Sequence, residues 1–215
     1  MGLAISIGVL VDLLEHDPEG AGWLQEELAV VNKVLAAAGL PPHAEPRELP
    51  PLHSRAAIGG FPYSFIHYLR RAYAHRANSP GWMATPVEDD VDPSEDPVVE
   101  DVLYSSESHL VCHSDAEGFY VPVDFDEVLY SEPDDDKQLA GGMLGSSYRL
   151  RDELVLVAPA LGINLTDGEL SDEEVARIGR LIDADEGLHR EYVSWLRLYE
   201  SARLSIAHKT AIVFT

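Results

Sequence analysis

The amino-acid sequence predicts an α+β fold: a helix-rich single domain with a small antiparallel sheet built around a β-hairpin at 108–125. Three observations support this class. Several stretches repeat apolar residues at helical spacing, residues 108–125 alternate like two paired strands, and 46% of the residues are hydrophobic, enough to fill a core. With 215 residues in total, we expect one globular domain over 1–215.

The N-terminal elements are indicated by apolar spacing and by capping residues. Residues 3–11 fit either a short strand or the beginning of a helix, and periodicity alone does not decide between them. Asp17 followed by Pro18 is typical of a helix start, and Gly39 followed closely by two prolines is a stop signal, so a helix is predicted between them. A second helix is predicted over 62–77.

The second predicted helix carries the main group of basic residues, which we expect on its outer side. This ridge comprises His67, Arg70, Arg71 and His75, with Arg76 at its end. It can pair with the protein's own acidic residues or bind an external anion, and internal pairing is the commoner outcome for such runs. Residues 78–101, which follow, are dense in proline and acidic residues and predict a long acidic surface loop.

Residues 108–125 are predicted to form a β-hairpin with a four-residue turn at 115–118. In this register the apolar side chains share one face. The opposite face presents an alternative polar site of His109, His113, Tyr120 and Asp124. The two histidines would lie about 13 Å apart along an extended strand, too far to share one metal ion, so we predict no bound metal and assign no catalytic residue.

The C-terminal third is predicted to be helical. One helix begins at 146–147, a capping box of Ser171 and Glu174 opens another, and an apolar stripe marks a third over 188–206. Residues 212–214 suit a closing strand. The glycines that precede the first of these helices lack the lysine and spacing of a phosphate-binding loop, so we predict no cofactor.

The position of the negative charge is the most informative feature of the sequence. The chain has 38 acidic and 15 basic residues and a net charge of −23. Residues 77–136, here called the base-free stretch, contain 18 of the acidic residues and no Lys or Arg. An adaptation for solubility would spread acidic residues over the whole surface, so this concentration indicates a specific role.

The first functional hypothesis is an acidic module that binds a cationic protein partner, since complementary charge speeds association and excludes wrong partners. The composition, with far more Arg than Lys, is typical of a GC-rich bacterium, where an immunity or inhibitor protein could neutralise a toxin in this way. The residues assigned to partner binding are Glu88, Asp89, Asp90, Asp92, Glu95, Asp96, Glu100, Asp101, Asp134, Asp135 and Asp136.

Two alternatives to the binding module stay open at this point. One is a metal-assisted hydrolase with its site on the hairpin face, although an enzyme is less expected than a binding protein. The other is a structural domain whose acidic loop is paired internally with Arg70, Arg71 and Arg76. The hydrolase requires titratable side chains that converge in a concave site. The structural domain requires that the acidic side chains form ion pairs with the basic helix. The binding module requires neither, because its acidic side chains stay exposed to solvent.

Other partners and locations are disfavoured. The net charge of −23 repels phosphates, so no nucleic-acid binding is expected. No apolar run is long enough to span a bilayer and the N-terminus does not read as a secretory signal, so we expect no membrane association. The single cysteine, Cys112, agrees with a reducing compartment, and we expect a cytoplasmic protein. The sequence does not indicate the oligomeric state.

Overall fold

The computed structural model describes residues 2–88, 90–131 and 137–215, and most of these residues are helical. The α+β class predicted from the sequence is confirmed. The helices are α1 (Val9–His16), α2 (Pro18–Ala37), α3 (Tyr63–Asn78), α4 (Pro97–Ser105), α5 (His109–Cys112), α6 (Ser147–Val157), α7 (Asp172–Ala184) and α8 (His189–His208), with 3-10 turns at Pro93–Glu95, Ala140–Gly142 and Ala158–Leu161.

The strands form one mixed sheet and two small ribbons. They are β1 (Gly2–Leu3), β2 (Ile5–Ile7), β3 (Phe61–Pro62), β4 (Gly118–Val121), β5 (Leu129–Tyr130), β6 (Met143–Ser146), β7 (Leu165–Thr166), β8 (Glu169–Leu170) and β9 (Ile212–Phe214). The mixed sheet has the order β2-β9-β4-β6-β5, in which β4 and β6 are parallel and the other pairs antiparallel. In addition, β1 pairs with β3, and β7 with β8.

Helices cover both faces of the mixed sheet. Along β9, Ile212 and Phe214 pack into the larger core with residues of α3, α6 and α8, while Val213 points into a second core with residues of α2. Along β4, Tyr120 belongs to the larger core and Phe119 to the second one. Because successive side chains of a strand point to opposite faces, apolar residues at consecutive positions require this cover on both sides.

The helix starts predicted from capping residues are confirmed. The Asp17 carboxylate accepts a hydrogen bond from the Gly20 N–H, and Pro18 begins α2. The Ser171 hydroxyl accepts from the Glu174 N–H at the start of α7. Both interpretations of residues 3–11 hold in part, because strand β2 ends just before the chain turns into α1.

The β-hairpin predicted over 108–125 is wrong in its first arm. The chain does reverse at 114–117, where the Ser114 hydroxyl accepts from two backbone N–H groups, and the second arm is β4. The first arm is helix α5 rather than a strand. Strand β4 pairs instead with β6 and β9, which lie far along the chain, so local alternation could not identify its partners.

Two side chains from other helices hold the ends of α5. Glu153 of α6 accepts hydrogen bonds from the N–H groups of His109 (2.8 Å) and Leu110 (2.6 Å). Arg70 of α3, predicted on the outer ridge, is buried, and its guanidinium donates to the carbonyl oxygens of Leu110 (3.0 Å) and His113. Helix ends leave backbone groups without partners inside the helix, so these contacts stabilise a single turn here.

The loop predicted over 78–101 ends earlier than expected, because it leads into a 3-10 turn and then into α4. Asp96 is the N-cap of α4 and accepts from the Val98 N–H at 3.0 Å, and Pro97 occupies the first helical position. This Asp-Pro start is the same signal that identified α2. In α4 the surrounding prolines, which are typical of a loop, obscure this signal.

The glycine-rich connection before α6 contains strand β6, which the sequence did not indicate. Gly145 of β6 lies against the ring of Tyr120 in β4, and a Cβ at this position would be 2.2 Å from the ring atom Cδ1. The glycine is therefore required by the close approach of a strand and an aromatic ring, rather than by a bound phosphate.

Candidate functional site

The base-free stretch places most of its acidic side chains in solvent. Of its thirteen described acidic residues, eleven are exposed: Glu88, Asp90, Asp92, Glu95, Glu100, Asp101, Glu107, Glu117, Asp124, Asp126 and Glu127. The other two, Asp96 and Asp115, are partly buried. Of the predicted partner-binding residues, Asp89, Asp134, Asp135 and Asp136 lie outside the described residues.

The basic side chains of α3 pair with the two partly buried acids. The Nε atoms of Arg71 and His75 lie 2.8 and 2.9 Å from the same oxygen of Asp96, and His67 Nε2 lies 3.1 Å from Asp115. These pairs attach the acidic segment to α3, so Asp96, predicted to bind a partner, has a role in the fold.

The other ridge arginines do not neutralise the acidic segment. Arg70 is directed inward to α5, as described above, and Arg76 donates to the carbonyl oxygen of Leu156 at 3.4 Å. Internal pairing with α3 thus involves only Asp96 and Asp115 among the described acids of the base-free stretch. The hypothesis of an acidic loop neutralised by Arg70, Arg71 and Arg76 is therefore not supported by the contacts.

The exposed acidic residues of the segment 88–107, which contains α4, form the candidate site and are here called the α4 acidic surface. It comprises Glu88, Asp90, Asp92, Glu95, Glu100, Asp101 and Glu107. In the part of the chain that the structure describes, no Lys or Arg forms an ion pair with any of them. Their charge is thus directed to solvent, where it is available to a partner.

Packing on one side of α4 explains why its acids point outward. Val99 is buried in a small cluster with Ala74 of α3 and Val111 of α5. Glu100 and Asp101 lie on the exposed side of the same helix. Glu100 and Asp101 are therefore carried by a docked helix rather than by a free loop. Helix α5, whose ends are held by Glu153 and Arg70, packs beside α4 through Val111.

A groove of about 500 Å³ at the C-terminal end of α4 brings further acids next to this surface. Glu107 lines one side, and Asp126 and Glu127 line the other. Asp126 is also 3.0 Å from Arg149, which is 2.8 Å from Asp124, so these two charges are partly compensated. The groove joins acids that are separated by about 20 residues in the sequence.

Exposed apolar side chains occur in the same stretch, and sequence reasoning did not select them. Among the described residues, seven large hydrophobic side chains are markedly exposed, and five of them belong to the base-free stretch: Met83, Val91, Leu103, Tyr104 and Tyr130. Once α4 is recognised, helical spacing from the buried Val99 places Tyr104 on the outer side of the helix. Leu103, four residues after Val99, falls on the same side as Val99 by this spacing, so only the structure shows its exposure.

The alternative polar site is not assembled. His109, His113 and Tyr120 are buried, whereas Asp124 is exposed and pairs with Arg149. The Tyr120 hydroxyl donates to the His109 carbonyl at 2.9 Å, and its ring stacks on His113 at 4.1 Å between centroids. Burial lowers the pKa of His113 to about 4, which keeps its ring neutral. His109, His113 and Tyr120 are therefore part of the protein interior, and Asp124 is not.

Neither a metal site nor a membrane span is found in residues 2–88, 90–131 and 137–215. No group of three or more His, Cys, Asp or Glu side chains in these ranges could hold a metal ion. None of the described helices combines the length and the apolar character needed to cross a bilayer.

Residues 1–214 match the model of a protein family described as "Putative DNA-mimic protein". The chain belongs to this family. No curated protein and no solved structure matches the chain. Membership of the DNA-mimic family accounts for a dense array of exposed acids, since duplex DNA carries about one negative charge per 1.7 Å of its axis.

Family membership corrects both predicted functions and the predicted partner. The immunity or inhibitor function directed at a toxin is wrong, and so is the metal-assisted hydrolase, because a DNA mimic acts on proteins that bind DNA. The predicted partner, an unspecified cationic protein, is corrected for the same reason: the family indicates a protein that binds DNA. The sequence showed that this chain is acidic. It contained no feature that indicated whether the basic surface of the partner binds DNA or another ligand.

Proposed function

We propose that this protein binds a DNA-binding protein and occupies its DNA site by presenting the α4 acidic surface in place of the phosphate backbone. The observation that carries this proposal is the set of eleven exposed acids in a stretch without Lys or Arg. Family membership supports the choice of partner class.

The physical basis is the way in which proteins bind DNA. Lys and Arg contacts to phosphates supply most of the sequence-independent affinity, and half or more of the hydrogen bonds go to the backbone. A protein that offers exposed carboxylates can satisfy the same basic side chains. Its field also steers a basic partner toward it over distances of about a Debye length, roughly 8 Å at physiological salt.

The residues we assign to this role are those of the α4 acidic surface, which includes six of the residues predicted from the sequence and adds Glu107. Asp96 is assigned instead to holding α4, because it caps the helix and pairs with Arg71 and His75. Asp89 and Asp134 to Asp136 stay predicted partner-binding residues. The free thiol of Cys112 supports a cytoplasmic location for this activity.

A displacement experiment tests the proposal. Proteins from the source cell that are retained on immobilised duplex DNA are eluted with the purified chain at physiological salt, identified, and produced recombinantly. We expect the chain to release one or a few of them and to compete with labelled duplex for the same site. Release of no DNA-binding protein would contradict the proposal.

A matched pair of variants separates the α4 acidic surface from net charge alone. The first combines Glu95→Gln, Glu100→Gln and Asp101→Asn, and should weaken binding about tenfold, since exposed ion pairs contribute up to about 1 kcal/mol each.

The control combines Asp167→Asn, Asp183→Asn and Glu186→Gln. These residues are also exposed and form no ion pair within the described residues, and the control removes the same charge elsewhere. Equal losses in the two variants would mean that total charge, rather than this surface, directs binding.

A further inference from the structure

Exposed apolar side chains and exposed acids are concentrated in the same part of the molecule. The base-free stretch is little more than a quarter of the chain, yet it carries five of the seven large hydrophobic side chains that are markedly exposed among the described residues. Charge alone does not require this coincidence. Aromatic and apolar residues within a charged surface are typical of protein–protein interfaces.

Tyr104, in the last turn of α4, is the most exposed of these side chains, at 86%. Within the described residues it makes no side-chain hydrogen bond, ion pair or ring contact. Its neighbour Leu103 is 43% exposed, whereas Val99 on the inner side of α4 is buried. Tyr104 thus contributes little to the fold, and its apolar area is available to a partner.

Tyr130 extends this apolar area across the groove at the end of α4. Ser105 and Ser106, which directly follow Tyr104, line the groove together with Tyr130, which is 48% exposed. Glu107 lines the same space. Aromatic side chains and carboxylates are therefore combined at one end of the α4 acidic surface.

We propose that Leu103, Tyr104 and Tyr130 are apolar anchors for the partner, and that this partner is a DNA-binding protein whose basic surface adjoins an apolar recess. The inference rests on the proposed function and deepens it. Complementary charge mainly raises the association rate, whereas buried aromatic anchors dominate the free energy of most interfaces. The anchors also select among DNA-binding proteins, because the phosphate backbone of DNA offers no equivalent group to them.

The contributions of the charged contacts and of the apolar anchors to the binding free energy differ in their dependence on salt. Contacts between exposed charges are screened as ionic strength rises, and burial of apolar area is not weakened by moderate salt. Loss of an anchor should therefore lower affinity by a similar factor at every salt concentration. Loss of charges should lower it most at low salt.

The test uses the recombinant DNA-binding protein that the displacement experiment identifies, with poly-L-lysine as a probe for charge alone. Tyr104→Ala should weaken binding to the DNA-binding protein about 30-fold, the effect of a typical tyrosine hot spot, without changing the slope of log K against log salt. Leu103→Ala should weaken it about fivefold. Neither variant should affect binding to poly-L-lysine.

Leu156→Ala is the matched control, because Leu156 of α6 is 43% exposed like Leu103 but lies outside the base-free stretch. It should bind as the unmodified protein does. If Tyr104→Ala and Leu103→Ala bind the DNA-binding protein within twofold of the affinity of the unmodified protein, the proposal of apolar anchors is wrong. The proposed function would still stand in that case if the charge variants weaken binding as expected. An equal loss in Leu156→Ala would also overturn them, and failure to displace any DNA-binding protein would overturn both proposals.

Discussion

Helices α4 and α8 carry the same acidic residue types to opposite environments. In α4, Glu100 and Asp101 are exposed and form no ion pair within the described residues. In α8, Glu191 and Glu200 are buried. Glu200 accepts hydrogen bonds from the guanidinium groups of Arg55 (2.6 and 3.0 Å) and Arg203 (2.7 and 3.0 Å).

The difference follows from the bases within reach of each helix. Burial by itself would raise the pKa of Glu200, but the hydrogen bonds from Arg203 and Arg55 outweigh it and lower the pKa to about 2. Helix α4 lies in a stretch that has no Lys or Arg of its own, and Arg71 of α3 pairs with Asp96 at the start of α4. Glu200, which has two arginines within hydrogen-bond distance, stabilises the fold, whereas Glu100 and Asp101, which form no ion pair within the described residues, remain exposed.

The largest expected effect on stability is that of Glu200→Gln. It should lower the free energy of unfolding by about 3 kcal/mol at pH 7, because Arg55 and Arg203 lose the charge that compensates them. Because the pKa of Glu200 is lowered in the fold, its contribution is full above about pH 4.5 and disappears as the pH falls toward 2.

Urea unfolding at several pH values measures this loss. Glu100→Gln is the control from α4, and its free energy of unfolding should stay within about 0.5 kcal/mol of that of the unmodified protein. Comparable losses in the two variants would remove the distinction between the helices.

The second expected effect is a gain in stability, on replacing Glu191. Burial raises the pKa of Glu191 to about 7, so the folded protein holds a proton that the unfolded chain releases between about pH 4.5 and 7, and stability falls as the pH rises through this window. Glu191→Gln should therefore be more stable than the unmodified protein by roughly 2 kcal/mol at pH 8. The gain should be close to zero at pH 4.5.

Unfolding midpoints at pH 5 and pH 8 check this prediction. The conservative exposed variant Glu107→Gln should show no such dependence on pH. A destabilised Glu191→Gln at pH 8 would mean that the ionised carboxylate is stabilised by its surroundings.

The smallest expected effect concerns the triple α4 variant, Glu95→Gln with Glu100→Gln and Asp101→Asn. Its stability should change by no more than about 0.5 kcal/mol, and any gain should be greatest at low salt, where repulsion between neighbouring acids is least screened. Thermal unfolding at two ionic strengths measures it. A large loss of stability would show that these acids serve the fold and would weaken their assignment to a partner.

Much of the fold was predictable because its signals are local. Asp17 with Pro18, and Ser171 with Glu174, satisfy backbone N–H groups within the same turn, so capping residues located α2 and α7 from the sequence. The same signal at Asp96 was available for α4, and it would have placed Glu100 and Asp101 on a helix instead of in a loop.

Other predictions failed where distant residues decide. The alternation at 108–125 suited a hairpin, yet α5 forms because Glu153 and Arg70, from two other helices, satisfy its ends together with the local Ser108 cap. The candidate site at His109 and His113 disappeared with the hairpin, since both side chains are buried in the core. No local pattern contains information about those contacts.

By itself, the sequence determined where the charge lies and which segments begin helices, because composition and capping depend on neighbouring residues. The tertiary structure alone decided which strands pair with β4, that Arg70 is buried, and that Asp96 holds α4 while Glu100 and Asp101 remain exposed. The physical reason is that exposure and pairing depend on which side chains meet across the fold, and those meetings join residues far apart in the chain.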